Sequence, residues 1–288
     1  MTGSANLAAA PPTAPLRGPT WHRFISPHYD DIALSCGGTV ALLSRAGLAP
    51  EIAVVFGDEP DPAARLSSFA EDLHQQWGMS AGDVISGRRR EESIAAIALG
   101  ATSSNLPFLD AIYRGPHYGS NDQLFGEPVP AEAKLPAWIA SAMGLDTSPD
   151  PQTRVYAPLA VGGHVDHRHA FAVGLDLARA GWDVWFYEDL PYALRDAALE
   201  TRLAALPPDL LTPAAVIDVS ATWSSKIAAI LAYASQLTTV FGYVDSGSSP
   251  EEIDRLMRSY AIHAGDGAPA ERFWRVAAAP QNAAVARG

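Results

Sequence analysis

One cysteine among 288 residues, Cys36, excludes an intrachain disulfide and any zinc site built on several thiolates. Set among apolar neighbours at a helix start, it reads as a packing residue and not as a nucleophile. No apolar run is long enough to cross a bilayer. Basic residues are scarce: 20 Lys and Arg stand against 32 Asp and Glu, a formal charge of −12. Arg88-Arg89-Arg90 is too short a cluster to serve as the basic stripe that a nucleic-acid partner requires. No Gly-x-Gly-x-x-Gly follows the first apolar run, so nothing there would let a backbone approach a dinucleotide's pyrophosphate. Gly78-Met79-Ser80-Ala81-Gly82 matches Gly-x-Ser-x-Gly, but a nucleophile elbow needs a buried strand before the serine. Leu73-His74-Gln75-Gln76-Trp77 is the end of a polar helix, so the match is by chance. Residues 1–19 are rich in Ala, Pro, Thr and Gly and lack a signal peptide's basic start and apolar core; they read as a disordered tail. A soluble, cytoplasmic protein with no membrane partner is expected.

What the chain does have is 48% hydrophobic and 18% charged residues, enough to bury a large core in a single α/β domain over residues 20–288. Strand-like and helix-like segments alternate. Arg23–Ser26 reads as a strand, Ile32–Ala46 as a helix, and Glu51–Phe56 as a buried strand closed by Gly57-Asp58. Helical patterns follow at Leu66–Trp77 and Arg88–Leu99, then a short strand at Leu106–Leu109 and a polar loop at Tyr113–Glu127. Arg154–Leu159 predicts a strand, His164–Ala180 a helix, Trp182–Tyr187 and Ala214–Val219 two further strands, and Ala221–Gln236 a helix. Thr147–Gln152 and Asp245–Pro250 read as surface loops, and Glu271-Arg272-Phe273-Trp274-Arg275 as a segment docked on the core. Such alternation predicts a Rossmann-like α/β fold, a mostly parallel sheet with helices on both faces.

Two motifs fall where a strand hands over to a helix, the place where such sheets gather ligands. Pro27-His28-Tyr29-Asp30-Asp31 ends the first apolar run, and Gly163-His164-Val165-Asp166-His167 follows the fourth. Catalytic zinc takes three ligands from His and carboxylate groups and leaves a position for a water whose pKa it lowers. His28, Asp31 and His167 can supply that set. Asp30 then stands beside the metal as a proton acceptor. His164, three residues before His167 at a helix start, can face the same cavity and the reacting oxygen. Asp166 can hold a histidine in its tautomer. His22, His74, His117, His169 and His263 read as surface or packing histidines, and Glu188-Asp189 as either a cleft lining or a solvated strand end.

Together with Arg89-Arg90-Glu91-Glu92-Ser93, running on to Leu99-Gly100, these motifs resemble the LmbE-like, or PIG-L, zinc-dependent de-N-acetylases over residues 22–190. The resemblance implies one zinc ion per chain on His28, Asp31 and His167, Asp30 as general base, and His164 as the group that stabilises the tetrahedral intermediate. It further implies contacts from Arg89 and Asp110 to sugar hydroxyls, and removal of an N-acetyl group from a glucosamine-type conjugate of secondary metabolism or glycoconjugate biosynthesis. The partner is then a small amino sugar; a homo-oligomer stays open. The chain departs from the family pattern at Tyr29, where a proline is usual, at Ile32, where an acid often stands, and at Gly162, where some members carry a tyrosine. Tyr113, Tyr156 or Tyr187 is a candidate to replace that last residue. The competing readings are an amidase for another sugar or thiol conjugate, and a metal- or sugar-binding protein without turnover.

Overall fold

In the computed structural model, which describes residues 18–61, 63–76 and 84–277, seven strands form one sheet in the order β3-β2-β1-β4-β5-β7-β6. The elements in chain order are β1 (Trp21–Ser26), α1 (Asp31–Arg45), β2 (Glu51–Val54), α2 (Ser68–Gln76), α3 (Val84–Leu99), β3 (Thr102–Asn105), α4 (Asn121–Leu124) and α5 (Leu135–Ala142). Then come β4 (Thr153–Pro158), α6 (Val165–Arg179), β5 (Asp183–Tyr187), α7 (Ala198–Ala204), β6 (Leu211–Asp218), α8 (Trp223–Leu231), α9 (Leu237–Gly242), α10 (Pro250–Ala264) and β7 (Ala270–Val276). β1 pairs in parallel with β2 and β4, β2 with β3, and β4 with β5; β7 runs antiparallel between β5 and β6. The expected mostly parallel α/β sheet is therefore present.

The central strands are continuous apolar runs because both of their faces are covered. All six residues of β4 are buried. The chain runs from β1 outward to β3 and then, after the return to β4, outward the other way through β5; crossovers between parallel strands are right-handed as a rule, and this reversal of direction then puts the two sets of helices on opposite faces. α1, α3 and α8 pack on one another, as do α5 and α6. The reversal lies between β1 and β4, so the turns after these two strands share the crevice in which ligands of such sheets bind. Ser26 is followed by Pro27-His28, and Pro158 by the loop to His164.

Several elements differ from expectation. The strand expected at Leu106–Leu109 lies four residues earlier, at the polar Thr102–Asn105, paired with β2 from Glu51↔Thr102 onward; as a sheet edge it needs backbone partners on one side only. The Tyr113–Glu127 loop contains the short α4, and of the expected Ala221–Gln236 helix only Trp223–Leu231 forms, as α8; α9 begins beyond it, at Leu237. α5, α7 and α10 were not expected, and Glu271–Arg275 lies within a strand of the sheet. The tail through residue 17 and the Gly78–Gly82 match fall outside the described residues. Among the described residues no helix is long and apolar enough to cross a membrane.

Candidate active site

The turn from β1 into α1 is tied down by its own polar groups. The Ser26 hydroxyl donates to the His28 carbonyl at 2.6 Å, the His28 N–H donates to Asp31 Oδ2 at 2.7 Å, and the Tyr29 hydroxyl donates to the Gly57 carbonyl at 2.6 Å. Asp30 is left at the N-cap of α1 without a capping bond, facing the cavity. The second motif opens α6, whose N-cap is His164: its Nδ1 accepts the Asp166 N–H at 3.2 Å. That bond leaves Nε2 as the protonated nitrogen of a neutral His164 ring.

The two turns bring His28, Asp31 and His167 together, with one donor atom of each within 4.8 Å of the others. His28 Nδ1 stands 3.5 Å from Asp31 Oδ2, and His167 Nε2 stands 3.4 Å from Asp31 Oδ1. Two ligands on a tetrahedral zinc at about 2.0–2.1 Å lie roughly 3.4 Å apart, so each histidine stands about a ligand–ligand distance from one of the two Asp31 oxygens. The far nitrogen of each ring is already engaged by a carboxylate. Nε2 of His28 lies 3.1 Å from Asp166 Oδ2, and Nδ1 of His167 lies 2.7 Å from Asp189 Oδ1. Nε2 of His167 is fully buried and has no hydrogen-bond partner, and an orphaned buried nitrogen is a costly feature unless a cation completes it. The donor set fits a metal. A second group of potential ligands, His28, His164 and Asp166, shares one of these histidines.

Charge around the cluster is arranged in layers. Asp166 is held by Arg114 Nη1 at 2.7 Å and by the Ala111 N–H at 3.0 Å. Burial raises the proton affinity of Asp166, but the Arg114 guanidinium and the bond to His28 overcome it and hold this carboxyl far below the usual range. Arg114 also bonds Glu132, which accepts from His169 and Tyr118. Burial favours a neutral His28, yet Asp166, Asp31 and Asp110 outweigh it and raise its pKa well above the ordinary value. Burial and the neighbouring His28 push His164 well below its ordinary value. Burial, then the Asp31 charge, raises Asp30, while Arg88 partly offsets this. Asp31 moves the other way, to about 2: burial opposes its ionisation, and the two histidines prevail.

These groups sit at one end of a cavity of about 300 Å³. The rest of its lining is largely apolar and aromatic, with Leu73, Ile112, and Phe125 and Tyr243, whose rings stack with centroids 6.0 Å apart. Asp110 lines the cavity, with Oδ2 3.7 Å from His28 Nε2 and Oδ1 accepting the Ile112 N–H. Arg89 does not reach it. Its guanidinium bonds the Gly57 carbonyl and the Tyr29 hydroxyl, and its neighbour Arg88 enters the lining instead, with Nη2 3.9 Å from Asp30 Oδ1. Successive helix residues point about 100° apart, so within a run of three arginines only the fold selects the inward one.

None of Tyr113, Tyr156 and Tyr187 lines the cavity; Tyr192 does, with its ring edge-on to His167 at 5.4 Å. A Cβ at Gly162, whose φ is +84°, would fall 2.6 Å from the Tyr192 ring, so glycine there makes room for this tyrosine. Asp189, Arg114, Arg88 and Tyr192 are thus the additions the structure makes to the expected set. For Asp189 the local signal was its place at the end of an apolar strand; Arg114 lies in a loop, and the Asp166 and Glu132 it binds are distant in sequence.

The sequence profile of the PIG-L family, described as GlcNAc-PI de-N-acetylase, matches residues 23–178, which hold both motifs. The chain belongs to the PIG-L family. This PIG-L protein is similar to the 2'-N-acetylparomamine deacetylase of Streptomyces fradiae, at 31% identity over 264 residues, 87% of this chain and 79% of the relative. The enzyme of the same name from Niallia circulans is 33% identical over 242 residues, 76% of this chain and 82% of that one. Among solved structures, the A40926 pseudoaglycone deacetylase superposes with a TM-score of 0.66 at 28% identity, covering 90% of this chain and 99% of its own. A teicoplanin deacetylase solved in a zinc-inhibited form gives 0.72 at 25% identity, covering 91% and 100%. The PIG-L protein described here is accordingly a metal-dependent deacetylase, an amide hydrolase.

Proposed function

We propose that this deacetylase hydrolyses the N-acetyl group of a glucosamine-type antibiotic intermediate, with one zinc ion per chain held by His28, Asp31 and His167. The observation that carries this reading is the orphaned Nε2 of His167, 3.4 Å from Asp31 Oδ1 and opposite a nitrogen already bonded to Asp189. The relatives named for 2'-N-acetylparomamine and for the A40926 pseudoaglycone support an amino-sugar conjugate as substrate.

A zinc ion bound there supplies Lewis acidity, polarising the acetyl carbonyl and acidifying a water. The chain's own groups do the rest. Asp30 takes a proton from the attacking water; its proton affinity, raised by burial beside Asp31, makes it a stronger base than an ordinary aspartate. The water oxygen bonds to the acetyl carbon, the carbon–nitrogen bond breaks, and the proton on Asp30 passes to the departing amine. The products are acetate and the free amino sugar. His164 donates from Nε2 to the acetyl oxygen as that oxygen gains charge. Its Nδ1 is engaged by the Asp166 N–H, and its depressed pKa keeps the ring neutral, so it acts as a hydrogen-bond donor and not as an imidazolium. Tyr192, in the lining of the same cavity, offers a second hydroxyl donor. Asp110 and Arg88, in place of Arg89, face the sugar hydroxyls, where a guanidinium's planar fork can hold two oxygens.

Amine release from a panel of N-acetylglucosamine conjugates, with and without chelator and added zinc, tests the reading. Chelator-sensitive release restored by zinc, at about one zinc per chain, is the expected result. Turnover that survives complete removal of metal would overturn it.

A further inference from the structure

The metal ligand Asp31 rides on a piece of helix that is broken from the rest. α1 is interrupted at Cys36, where φ is −139° and ψ is 23°. An unbroken helix would direct the N–H groups of Gly38 and Thr39 to the carbonyls of Leu34 and Ser35. Here both donate to the Glu271 carboxylate, Gly38 to Oε1 at 2.9 Å and Thr39 to Oε2 at 2.7 Å, and the Thr39 hydroxyl adds a third bond at 2.6 Å. The Ser35 carbonyl accepts from Lys226 Nζ at 3.3 Å, and the same ammonium lies 2.6 Å from Glu271 Oε1. Lys226 and Glu271, 1% and 5% exposed, come from α8 and β7. Their ion pair thus fills the break on both sides, accepting for the donors and donating to the acceptor. Gly38 permits the approach, since a Cβ there would lie 2.6 Å from the Val219 Cβ.

Taking two charges out of water is expensive, and well-packed apolar residues would often serve stability equally well. The pair's location suggests another purpose. Beyond the break lies one turn, Asp31–Ser35, with Asp30 at its N-cap. Ser35 marks the joint. Its carbonyl is held by Lys226, and its hydroxyl accepts the N–H of Leu190, the residue after the Asp189 that orients His167. One buried ion pair therefore sets the angle of the turn carrying Asp30 and Asp31, and through Ser35 ties that turn to the support of the other motif.

We infer that Lys226 and Glu271 are positioning residues for the metal site, so that metal affinity and kcat depend on this pair, and not stability alone. The inference rests on the proposed metal site. Each single change, Lys226→Met or Glu271→Gln, leaves a buried charge short of its partner, whereas the double variant Lys226→Met/Glu271→Gln leaves none unpaired and is the decisive one. Zinc affinity is measured by competition with a chromophoric chelator at a temperature where each variant is folded, alongside kcat and KM. The expected result for the double variant is zinc bound about tenfold or more weakly, in the range found for lost support of metal ligands, with kcat reduced and KM within about twofold. The control is Ile52→Ala, a buried change in β2 near the end of the sheet opposite the site, which should lower stability comparably and leave zinc affinity and kcat unchanged. Wild-type zinc affinity and kcat in the folded double variant would overturn the inference, as would an equal loss in Ile52→Ala. A wild-type chain that binds no zinc would instead overturn the proposed site itself.

Discussion

Asp189 Oδ1 lies 2.7 Å from Nδ1 of His167, and the opposite nitrogen of that ring, Nε2, has no hydrogen-bond partner. The carboxylate fixes the tautomer in which Nδ1 carries the proton and Nε2 presents a lone pair toward Asp31. Asp189→Ala should therefore weaken metal binding by about 10- to 100-fold, the range seen when such supports are removed. Chelator competition against wild type measures it, and unchanged affinity would mean that His167 is not a ligand.

Asp30 is adjacent to the proposed ligand Asp31 and lies outside the proposed metal-holding set. Asp30→Asn keeps the shape of the side chain and removes its capacity to take a proton. Metal content should stay at the wild-type level while kcat falls by about 10²- to 10⁴-fold, the contribution typical of a positioned general base. An Asp30→Asn protein with near wild-type kcat would assign the proton transfer elsewhere.

Both halves of the candidate metal site were legible because each is local. His28 and Asp31 belong to one turn, His164 and His167 to another, and the apolar runs that lead into them belong to central strands covered on both faces. Where pairing is made by distant segments, the pattern fades. β3 is Thr-Ser-Ser-Asn, with no apolar signal, and it becomes a strand because the β2 edge offers it backbone partners. β7 enters the sheet between β5 and β6 from the far end of the chain. α10 did carry a local mark. Ser249-Pro250-Glu251-Glu252 is a capping box with proline at the first turn, and both of its reciprocal bonds are present. Arg114, which clamps Asp166, stands in a loop with no periodicity to announce it.

The arginine run separates by function. Arg88 lines the cavity beside Asp30, and Arg89 bonds the Gly57 carbonyl and the Tyr29 hydroxyl behind it. Arg88→Ala should cut kcat/KM by about 10- to 100-fold, as expected when one hydrogen bond from a charged group is lost. Arg89→Ala should leave it within about threefold. Steady-state kinetics of the two variants on one amino-sugar substrate decides between them, and the reverse ranking would restore Arg89 as the sugar contact.

Stability carries a pH signature outside the site. Glu92, in α3, accepts from the Tyr233 hydroxyl at 2.6 Å and the Ser103 hydroxyl at 2.7 Å, yet burial pushes its pKa up to about 7 from an ordinary 4.5. The folded state thus binds a proton that the unfolded state has released. Below pH 4.5 Glu92 is neutral in both states and contributes no pH dependence; between 4.5 and 7 its ionisation in the unfolded chain lowers stability as pH rises; above 7 the penalty is constant. Its full size is on the order of 3 kcal/mol. Glu92→Gln removes the charge and keeps a side chain that both hydroxyls can bond. Its thermal midpoint should exceed the wild type's at pH 8 and converge with it near pH 5. Equal midpoints for the two proteins across that range would show that Glu92 ionises at its ordinary pKa in the folded chain.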